Sequence, residues 1–187
     1  MGRSAEVGAR ALLAGRLVVH PTDTLYALAA RALDRSAVAR LVAAKGRPTG
    51  QPLSVSVSSI EELERWARLE PPARRFVRDR LPGPYTVLLR PSAEGRRRLA
   101  PSVVGGSTIG LRVPDHPLAL ELARRAGPIV ATSANRSGQP PSPTLGAARR
   151  AFGREVAAYV DGPPTPAGVP SALIDLTRER PRPVARR

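Results

Sequence analysis

Residues 17–26 read Leu-Val-Val-His-Pro-Thr-Asp-Thr-Leu-Tyr, a short apolar run that ends in a turn rich in hydroxyl side chains. Residues 128–138, Pro-Ile-Val-Ala-Thr-Ser-Ala-Asn-Arg-Ser-Gly, have the same order of apolar and hydroxyl residues. Apolar runs of this length bounded by proline or glycine predict buried strands. Segments with helical spacing of apolar residues lie between such runs. The alternation predicts an α/β fold, in which helices pack against a sheet.

Capping and helix-breaking residues predict where the elements begin and end. Ser4 is expected to cap a first helix that stops at Gly15, and Asp115 to cap a helix over 118–126. Ser59 and Glu62 predict a capping box. Further helices are predicted over 36–45, after Pro71-Pro72, and from a Thr144 cap to 152. Strands are predicted over 17–19, 52–57, 85–89, 108–113, 128–132, 156–160 and 172–176. Two loops are expected, a mobile one over 92–107 and a Gly/Pro-rich one over 163–170.

The composition excludes several classes of protein. The 187 residues fit one domain, and 42% are hydrophobic, more than a disordered chain carries. Without cysteine, disulfide scaffolds, zinc knuckles and thiol catalysis are excluded, and two histidines are too few for a multi-histidine metal site. A catalytic metal would therefore be Mg²⁺. Because the sequence has neither a run of ~18 apolar residues nor a signal-peptide pattern, we expect a cytosolic protein without membrane contact.

The net charge of +15 predicts an anionic partner, such as a nucleotide or nucleic acid. Lys45, in the segment Lys45-Gly46-Arg47-Pro48, is the only lysine among the 30 basic residues. Lysine presents a compact charge with three rotatable donors, which suits close contact with phosphate. A cation at a helix C-terminus is also favourable for dipole reasons alone. We favour the phosphate contact.

Two polar turns and one charged residue follow or interrupt the predicted strands. Ligands of α/β sheets bind beyond the carboxyl ends of strands, where Pro21–Tyr26 and Thr132–Gly138 lie, although ordinary turn chemistry also explains such residues. Arg112 lies within the apolar strand 108–113 and needs a partner because an unpaired buried charge is costly. That partner is either a structural carboxylate such as Asp23 or a carboxylate or phosphate of a ligand.

The sequence lacks the usual catalytic motifs. It has no Walker loop, no Gly-x-Gly-x-x-Gly after a strand and no histidine in a triad context. A nucleophilic side chain is therefore unsupported. Hydroxyls, an amide and several cations remain, which catalyse by positioning and charge neutralisation, as phosphoryl or nucleotidyl transfer requires.

Five motifs in this order resemble the YrdC/TsaC family of threonylcarbamoyl-adenylate synthases. They are PTDTLY (21–26), KGRP (45–48), LPGPYT (81–86), TIGLRVPDHP (108–117) and TSANRSG (132–138). The resemblance covers nearly the whole chain and implies a YrdC-like α/β fold, a twisted, mixed open sheet with flanking helices around a concave basic cleft. It implies one domain over 1–187. The implied reaction forms threonylcarbamoyl-AMP and pyrophosphate from L-threonine, bicarbonate and ATP with Mg²⁺, for threonylcarbamoyladenosine (t6A) in tRNA.

The resemblance also implies roles for individual residues. Lys45 and Arg47 would neutralise the phosphates as the catalytic pair, and Arg112 would hold the threonine carboxylate. The other implied ATP contacts are Gln51, Thr108, Ser133, Asn135, Thr144 and Arg186. The other implied threonine contacts are Thr22, Thr24, Ser56 and Ser171. The protein itself would provide no metal ligands. The chain departs from the family pattern at Ala27, Ala29, Gln51, Ser56 and Ala172, where Gly, Gly, Asn, His and Thr are usual.

Two alternatives are open at this point. The first is a non-catalytic module that binds double-stranded RNA or tRNA on the same fold, which the excess of arginine favours. The second is a relative that uses carbamoyl phosphate, as in hydrogenase maturation, but such proteins also carry cysteine-rich segments that this chain lacks. As partners we expect ATP, L-threonine, bicarbonate, an RNA contact and proteins that transfer the threonylcarbamoyl group.

Overall fold

A computed structural model describes residues 2–48, 51–162 and 168–185. The helices are α1 (Gly2–Leu13), α2 (Arg35–Lys45), α3 (Ile60–Trp66), α4 (Pro71–Arg80), α5 (Ala93–Arg98), α6 (Pro117–Ala126) and α7 (Leu145–Phe152), with a 3-10 turn at Gly153–Glu155. The strands are β1 (Leu17–His20), β2 (Ala27–Arg31), β3 (Ser54–Ser56), β4 (Ala67–Arg68), β5 (Tyr85–Pro91), β6 (Val104–Gly105), β7 (Thr108–Arg112), β8 (Ile129–Ser133), β9 (Val156–Tyr159), β10 (Ala172–Asp175) and β11 (Arg182–Val184).

The strands in the described part of the chain form one mixed sheet. Its order is β11-β10-β5-β7-β3-β8-β2-β1-β9, with β4 beside β5 and β6 beside β7. Strands β1 and β9, β3 and β7, and β5 and β10 pair in parallel. Strand β8 runs antiparallel to both of its neighbours, β2 and β3. The predicted mixed, open α/β sheet is therefore confirmed.

Alternate residues of β1 contact different helical layers. In β1, Leu17 and Val19 belong to a large core shared with α2, α3, α4 and α7, whereas Val18 belongs to a smaller core shared with α1 and α6. This period-2 division is the geometry of a strand buried on both faces. One helical layer therefore covers each face of the sheet, but the smaller layer, α1 and α6, packs only against the β1–β2–β8–β9 side.

Several predicted boundaries are correct, but three capping predictions differ from the structure. Helix α1 begins at Gly2, so Ser4 lies inside it, and α6 is preceded by His116, so Asp115 is not its cap. Ser59 accepts a hydrogen bond from the Glu62 amide as predicted, but the Glu62 carboxylate bonds Ser58 instead of completing the box.

The segment over 92–107, predicted to be a mobile loop, contains α5 and β6. The Ser92 hydroxyl accepts a hydrogen bond from the Gly95 amide at 3.0 Å and donates one to the Arg65 carbonyl, so a cap anchors this segment. Strand β2 was not predicted because Ala-Leu-Ala-Ala-Arg has low intrinsic strand propensity. Its first four residues are buried by tertiary packing.

Two helical glycines give a matched stability test. A Cβ at Gly95 would lie well inside van der Waals contact of the Trp66 carbonyl oxygen, whereas a Cβ at Gly146 would meet no atom closer than 3.8 Å. We expect Gly95→Ala to lower the free energy of unfolding by about 1–3 kcal/mol through overpacking. Gly146→Ala should raise it by about 0.5–1 kcal/mol through helix propensity. Urea unfolding measures both, and equal effects of the two substitutions would contradict the described packing of α5.

Candidate functional site

A cavity of about 230 Å³ lies over the middle of the sheet. It is lined by the turn after β1, by β3 and the residues before it, and by parts of β5, β7 and β8. Its hydroxyl-bearing residues are Thr22, Thr24, Tyr26, Ser54, Ser56, Thr86, Thr132, Ser133 and Ser171. Arg47 and Arg112 are the charged residues among the described lining, which includes no carboxylate. Whether the wider cleft is basic stays a prediction.

The cavity occupies a face of the sheet rather than only the ends of its strands. Ser54 and Ser56, two residues apart on β3, share one face, and their partners on β7 are Gly110 and Arg112. Val55, Ile109 and Leu111 belong to the core on the other face. Small and hydroxyl side chains at alternating positions thus leave this face open. The cavity therefore extends from the predicted turn after β1 along the middle of β3.

The turn after β1 is held by its own hydroxyls. Thr22 Oγ1 donates to the Leu25 carbonyl oxygen at 2.7 Å and accepts from the Thr24 and Leu25 amides at 3.2 Å. The Thr22 hydroxyl therefore has a structural role, although the residue lines the cavity. Thr24 Oγ1 lies 3.0 Å from Thr22 Oγ1.

The sequence left two possible partners for Arg112, a structural carboxylate or an anionic group of a ligand, and the structure provides the structural carboxylate. Its Nη2 donates to Asp23 Oδ1 at 2.5 Å and its Nη1 to Thr24 Oγ1 at 2.8 Å. Burial lowers the pKa of the Arg112 guanidinium, and Asp23 opposes that change. Arginine keeps its charge in proteins, so this cation is retained beside the cavity. Because only two of its about five N–H donors are used by these bonds, donors remain for a ligand.

Lys45 ends α2 and is 4% exposed. Its Nζ donates to the Ser133 carbonyl oxygen at 2.5 Å, to Asn135 Oδ1 at 2.8 Å and to Ser133 Oγ at 3.2 Å. Burial, with a smaller contribution from Arg47, lowers the pKa of Lys45 to about 8. The structure therefore joins Lys45, Ser133 and Asn135, to which the resemblance assigned nucleotide contacts. Of these three, only Ser133 is among the described lining residues of the cavity.

Arg47 is half-buried, lines the cavity and donates from Nη2 to the Pro52 carbonyl oxygen at 3.0 Å. Its Nε is buried without a hydrogen-bond partner among the described residues. Burial lowers the pKa of this guanidinium. A buried donor without a partner is costly, so this side chain is suited to an incoming acceptor.

The remaining predicted site residues divide into two groups. Ser56 and Ser171 line the cavity, and Ser171 Oγ lies 2.8 Å from Thr86 Oγ1. Gln51, Thr108 and Thr144 are not among its lining residues. Thr144 instead caps α7 by accepting from the Ala147 amide at 3.1 Å, as predicted. Arg186, as well as residues 163–167 of the predicted Gly/Pro loop, lies outside the described residues.

Sequence reasoning missed Ser54 and Thr86 as cavity residues. The signal was present, because Ser54 stands two residues before Ser56 on one strand, and Thr86 interrupts an apolar strand as Arg112 does. Within residues 2–48, 51–162 and 168–185 no three or more His, Asp or Glu side chains are grouped to hold a metal ion. Nor does any helix there have the length and apolar character to span a membrane.

The chain is similar to proteins of known name. A protein from Bacillus subtilis (strain 168) named threonylcarbamoyl-AMP synthase is 41% identical over 172 residues, which cover 88% of this chain and 48% of that protein. One of the same name from Chromohalobacter salexigens is 36% identical over 169 residues, 89% of each. The crystal structure of Pyrococcus abyssi Sua5 complexed with L-threonine superposes with a TM-score of 0.87 and 37% identity, covering 95% of this chain and 52% of that chain.

The lengths of these relatives differ. The chain spans about half of the Bacillus and Pyrococcus proteins but most of the Chromohalobacter protein. A family model described as Sua5/YciO/YrdC, telomere recombination, matches residues 10–187. This match includes all five sequence motifs and every described strand. The chain belongs to the Sua5/YciO/YrdC family.

Proposed function

We propose that the chain is an L-threonylcarbamoyladenylate synthase, a nucleotidyltransferase that forms threonylcarbamoyl-AMP and pyrophosphate from L-threonine, bicarbonate and ATP for t6A modification of tRNA. The observation that carries the proposal is one cavity lined by Arg112 and the predicted threonine contacts together with Arg47 and Ser133. The names of the related synthases and the L-threonine bound to Pyrococcus abyssi Sua5 support it.

The reaction needs positioning more than covalent catalysis. Bicarbonate takes up a proton and loses water to give CO₂, and the threonine amine forms a C–N bond to this CO₂ and releases a proton, which gives a carbamate. A carbamate oxygen then bonds to the α-phosphorus of ATP as the bond from that phosphorus to the pyrophosphate oxygen breaks. Charge neutralisation and alignment provide most of the catalysis in such transfers. A cavity of hydroxyls and guanidinium groups suits this chemistry and needs no protein nucleophile.

The amino acid is proposed to bind near Arg112. Strand pairing places Arg112 beside Ser56, whose other neighbour on β8 is Ile129. Asp23 fixes the guanidinium, and its remaining donors would hold the threonine carboxylate in a charge-assisted contact. The hydroxyls of Thr24, Ser56 and Ser171 would surround the rest of the amino acid.

The nucleotide is proposed to bind toward the other end of β8, where Ser133 pairs with Ala27. Lys45 already uses its three donors, so a phosphate oxygen would replace the weakest acceptor, the Ser133 hydroxyl at 3.2 Å. Arg47 would supply the second positive charge. The described lining lacks the carboxylates with which proteins usually hold Mg²⁺, so the ion would enter with ATP as part of the substrate.

The excess positive charge supports a further proposal about partners. Arginine-rich surfaces bind RNA backbones through phosphate contacts, so the chain would contact tRNA, and its product would pass to proteins that transfer the threonylcarbamoyl group. We place this work in the cytoplasm, where ATP and tRNA are available.

Pyrophosphate release tests the function. We expect the protein to release pyrophosphate only when L-threonine, bicarbonate and Mg-ATP are all present. A parallel reaction with carbamoyl phosphate in place of threonine and bicarbonate should give none. Salt-sensitive binding of RNA without any pyrophosphate release would contradict the enzyme and favour the RNA-binding module instead.

Substitution of Lys45 tests the phosphate contact. Lys45→Ala should lower turnover by ~10²-fold or more, the scale expected for the loss of one transition-state charge contact. Lys45→Arg should keep part of the activity, because the planar guanidinium retains the charge but not the ammonium geometry. Arg35→Ala, which removes an exposed cation from the same helix, is the control and should leave turnover unchanged. Full activity of Lys45→Ala would sink the assignment.

The pH dependence follows from the lowered pKa of Lys45, about 8. The ammonium is charged below that pH and neutral above it, so kcat/KM for ATP should fall as the pH rises through about 8. In Lys45→Arg the fall should disappear, because a guanidinium stays charged throughout this range. The pH dependence of kcat/KM for ATP is measured by steady-state kinetics of the unmodified protein and of Lys45→Arg from pH 6.5 to about 9.5. The same fall in both proteins would mean that another group titrates.

A further inference from the structure

Helix α2, which carries Lys45, has all four of its last carbonyl groups bonded. These groups have no partner within a helix and must be satisfied from outside. The Gly46 and Arg47 amides bond the Ala43 and Val42 carbonyl oxygens at 3.0 and 3.2 Å, in a turn that Gly46 allows with φ 63°. The other two carbonyls, of residues 44 and 45, are satisfied by the segment that follows β8.

Arg136, in that segment, bonds two helix C-termini with one guanidinium. Its Nη1 donates to the Ala44 carbonyl oxygen of α2, and its Nε donates to the Ala151 carbonyl oxygen of α7 at 3.2 Å. Both Nη atoms contact the Glu155 carboxylate, and the guanidinium carbon lies 5.0 Å from the Phe152 ring centroid. We call this set of contacts the Arg136 bridge.

The geometry explains why arginine suits this position. The C-terminus of a helix carries a partial negative charge, and here one cation lies against two such ends. A lysine ammonium is a point charge and cannot reach in several fixed directions as a planar guanidinium does. The Arg136 and Glu155 side chains are 40% and 45% exposed, so their ion pair alone would contribute little to stability. The bridge matters through the backbone carbonyls that it joins.

The bridge connects directly to the proposed nucleotide contacts. The Ser137 amide donates to the Lys45 carbonyl oxygen at 2.8 Å. Asn135, which accepts from Lys45 Nζ, donates from Nδ2 to the Arg136 carbonyl oxygen at 2.9 Å and to the Gln139 carbonyl oxygen at 2.5 Å. Residues 135–137 are therefore hydrogen-bonded to the end of α2 through both main-chain and side-chain groups.

We propose that Arg136 is a positioning residue, which holds the end of α2 against residues 133–137 and so fixes Lys45 and Asn135 for the nucleotide. The proposal rests on the proposed function for its kinetic consequence. Arg136 itself does not line the cavity and touches no reacting atom. Its effect reaches the nucleotide through Lys45 and Asn135.

Kinetics separate positioning from a general structural role. Arg136→Ala should raise KM for ATP about tenfold and leave KM for threonine unchanged, because Arg112 and its partners are not bonded to the bridge. Arg136→Lys should recover only part of the ATP affinity. Arg154→Ala is the control, because it removes an exposed cation from the 3-10 turn that carries Glu155, and it should behave as the unmodified protein. Unchanged KM for ATP, or equal changes in both KM values, would overturn the proposal.

A second measurement does not depend on activity. Because Lys45 is the only lysine, labelling lysine with ¹³C gives one side-chain NMR signal, whose titration reports its pKa. Burial and Arg47 lower the pKa of Lys45. Arg136 therefore acts on this pKa only indirectly, because it holds the end of α2 against residues 133–137 and so keeps Lys45 buried. We expect the Lys45 pKa to rise from about 8 toward the ordinary lysine value in Arg136→Ala and to stay near 8 in Arg154→Ala.

The two measurements also separate failure of the bridge from failure of the proposed function. If the unmodified protein makes no pyrophosphate, the synthase assignment fails while the titration still tests the bridge. If the unmodified protein is active and the Lys45 titration is the same in Arg136→Ala, the bridge is wrong and the synthase stands. Should Arg136→Ala not fold, Arg136→Lys replaces it and must show a raised KM for ATP, with Arg154→Ala again unchanged, for the proposal to survive.

Discussion

A buried ammonium without hydrogen-bond partners would be too costly for a folded protein, and Lys45 meets this constraint with three oxygen acceptors. All three acceptors belong to residues 133–135. The hydrogen bonds that Lys45 needs therefore join the end of α2 to the end of β8. The strand is also held on both sides by β2 and β3. The position of the charge is thus set by the centre of the sheet. In the proposed phosphate contact, a preorganised cation of this kind would need little rearrangement.

The second buried cation, Arg112, obeys the same rule with different partners. Asp23 and Thr24 bind its guanidinium, and the Thr22 hydroxyl in turn closes the turn that carries them. Desolvation acts against both cations, since burial lowers the pKa of each. A carboxylate compensates the charge of Arg112, whereas neutral oxygens accept the hydrogen bonds of Lys45. Because arginine keeps its charge in proteins whatever its partners, the Lys45 ammonium, with a pKa of about 8, is the one of these two cations expected to titrate near neutral pH.

Between these cations the sheet leaves room for substrates because its residues there are small. Ser54, Ser56 and Gly110 alternate with core residues on β3 and β7, and helices α1 and α6 cover only the neighbouring part of this face. A doubly covered sheet would bury this region completely. The cavity therefore brings hydroxyl donors, acceptors and positive charge to one place, and its described lining includes no histidine or carboxylate that would activate a hydroxyl as a nucleophile. Catalysis by alignment and charge neutralisation is what such a site can supply.

The family resemblance, and not any local pattern, placed Arg112, Ser56 and Ser171 in one site. Local patterns in the sequence predicted the α/β class, most strands, the end of α2 at Gly46 and the need of Arg112 for a partner. These follow from periodicity, capping and the cost of a charge in an apolar strand, all of which act over a few residues. The sequence did not determine strand β2, the helix and strand within residues 92–107, or the hydrogen-bond partners of Arg136. Lys45 and Ser133 are 88 residues apart, as are Thr24 and Arg112. Contacts over such separations depend on strand order and register, which only the tertiary structure decides, because a one-residue change of register would turn each side chain to the other face.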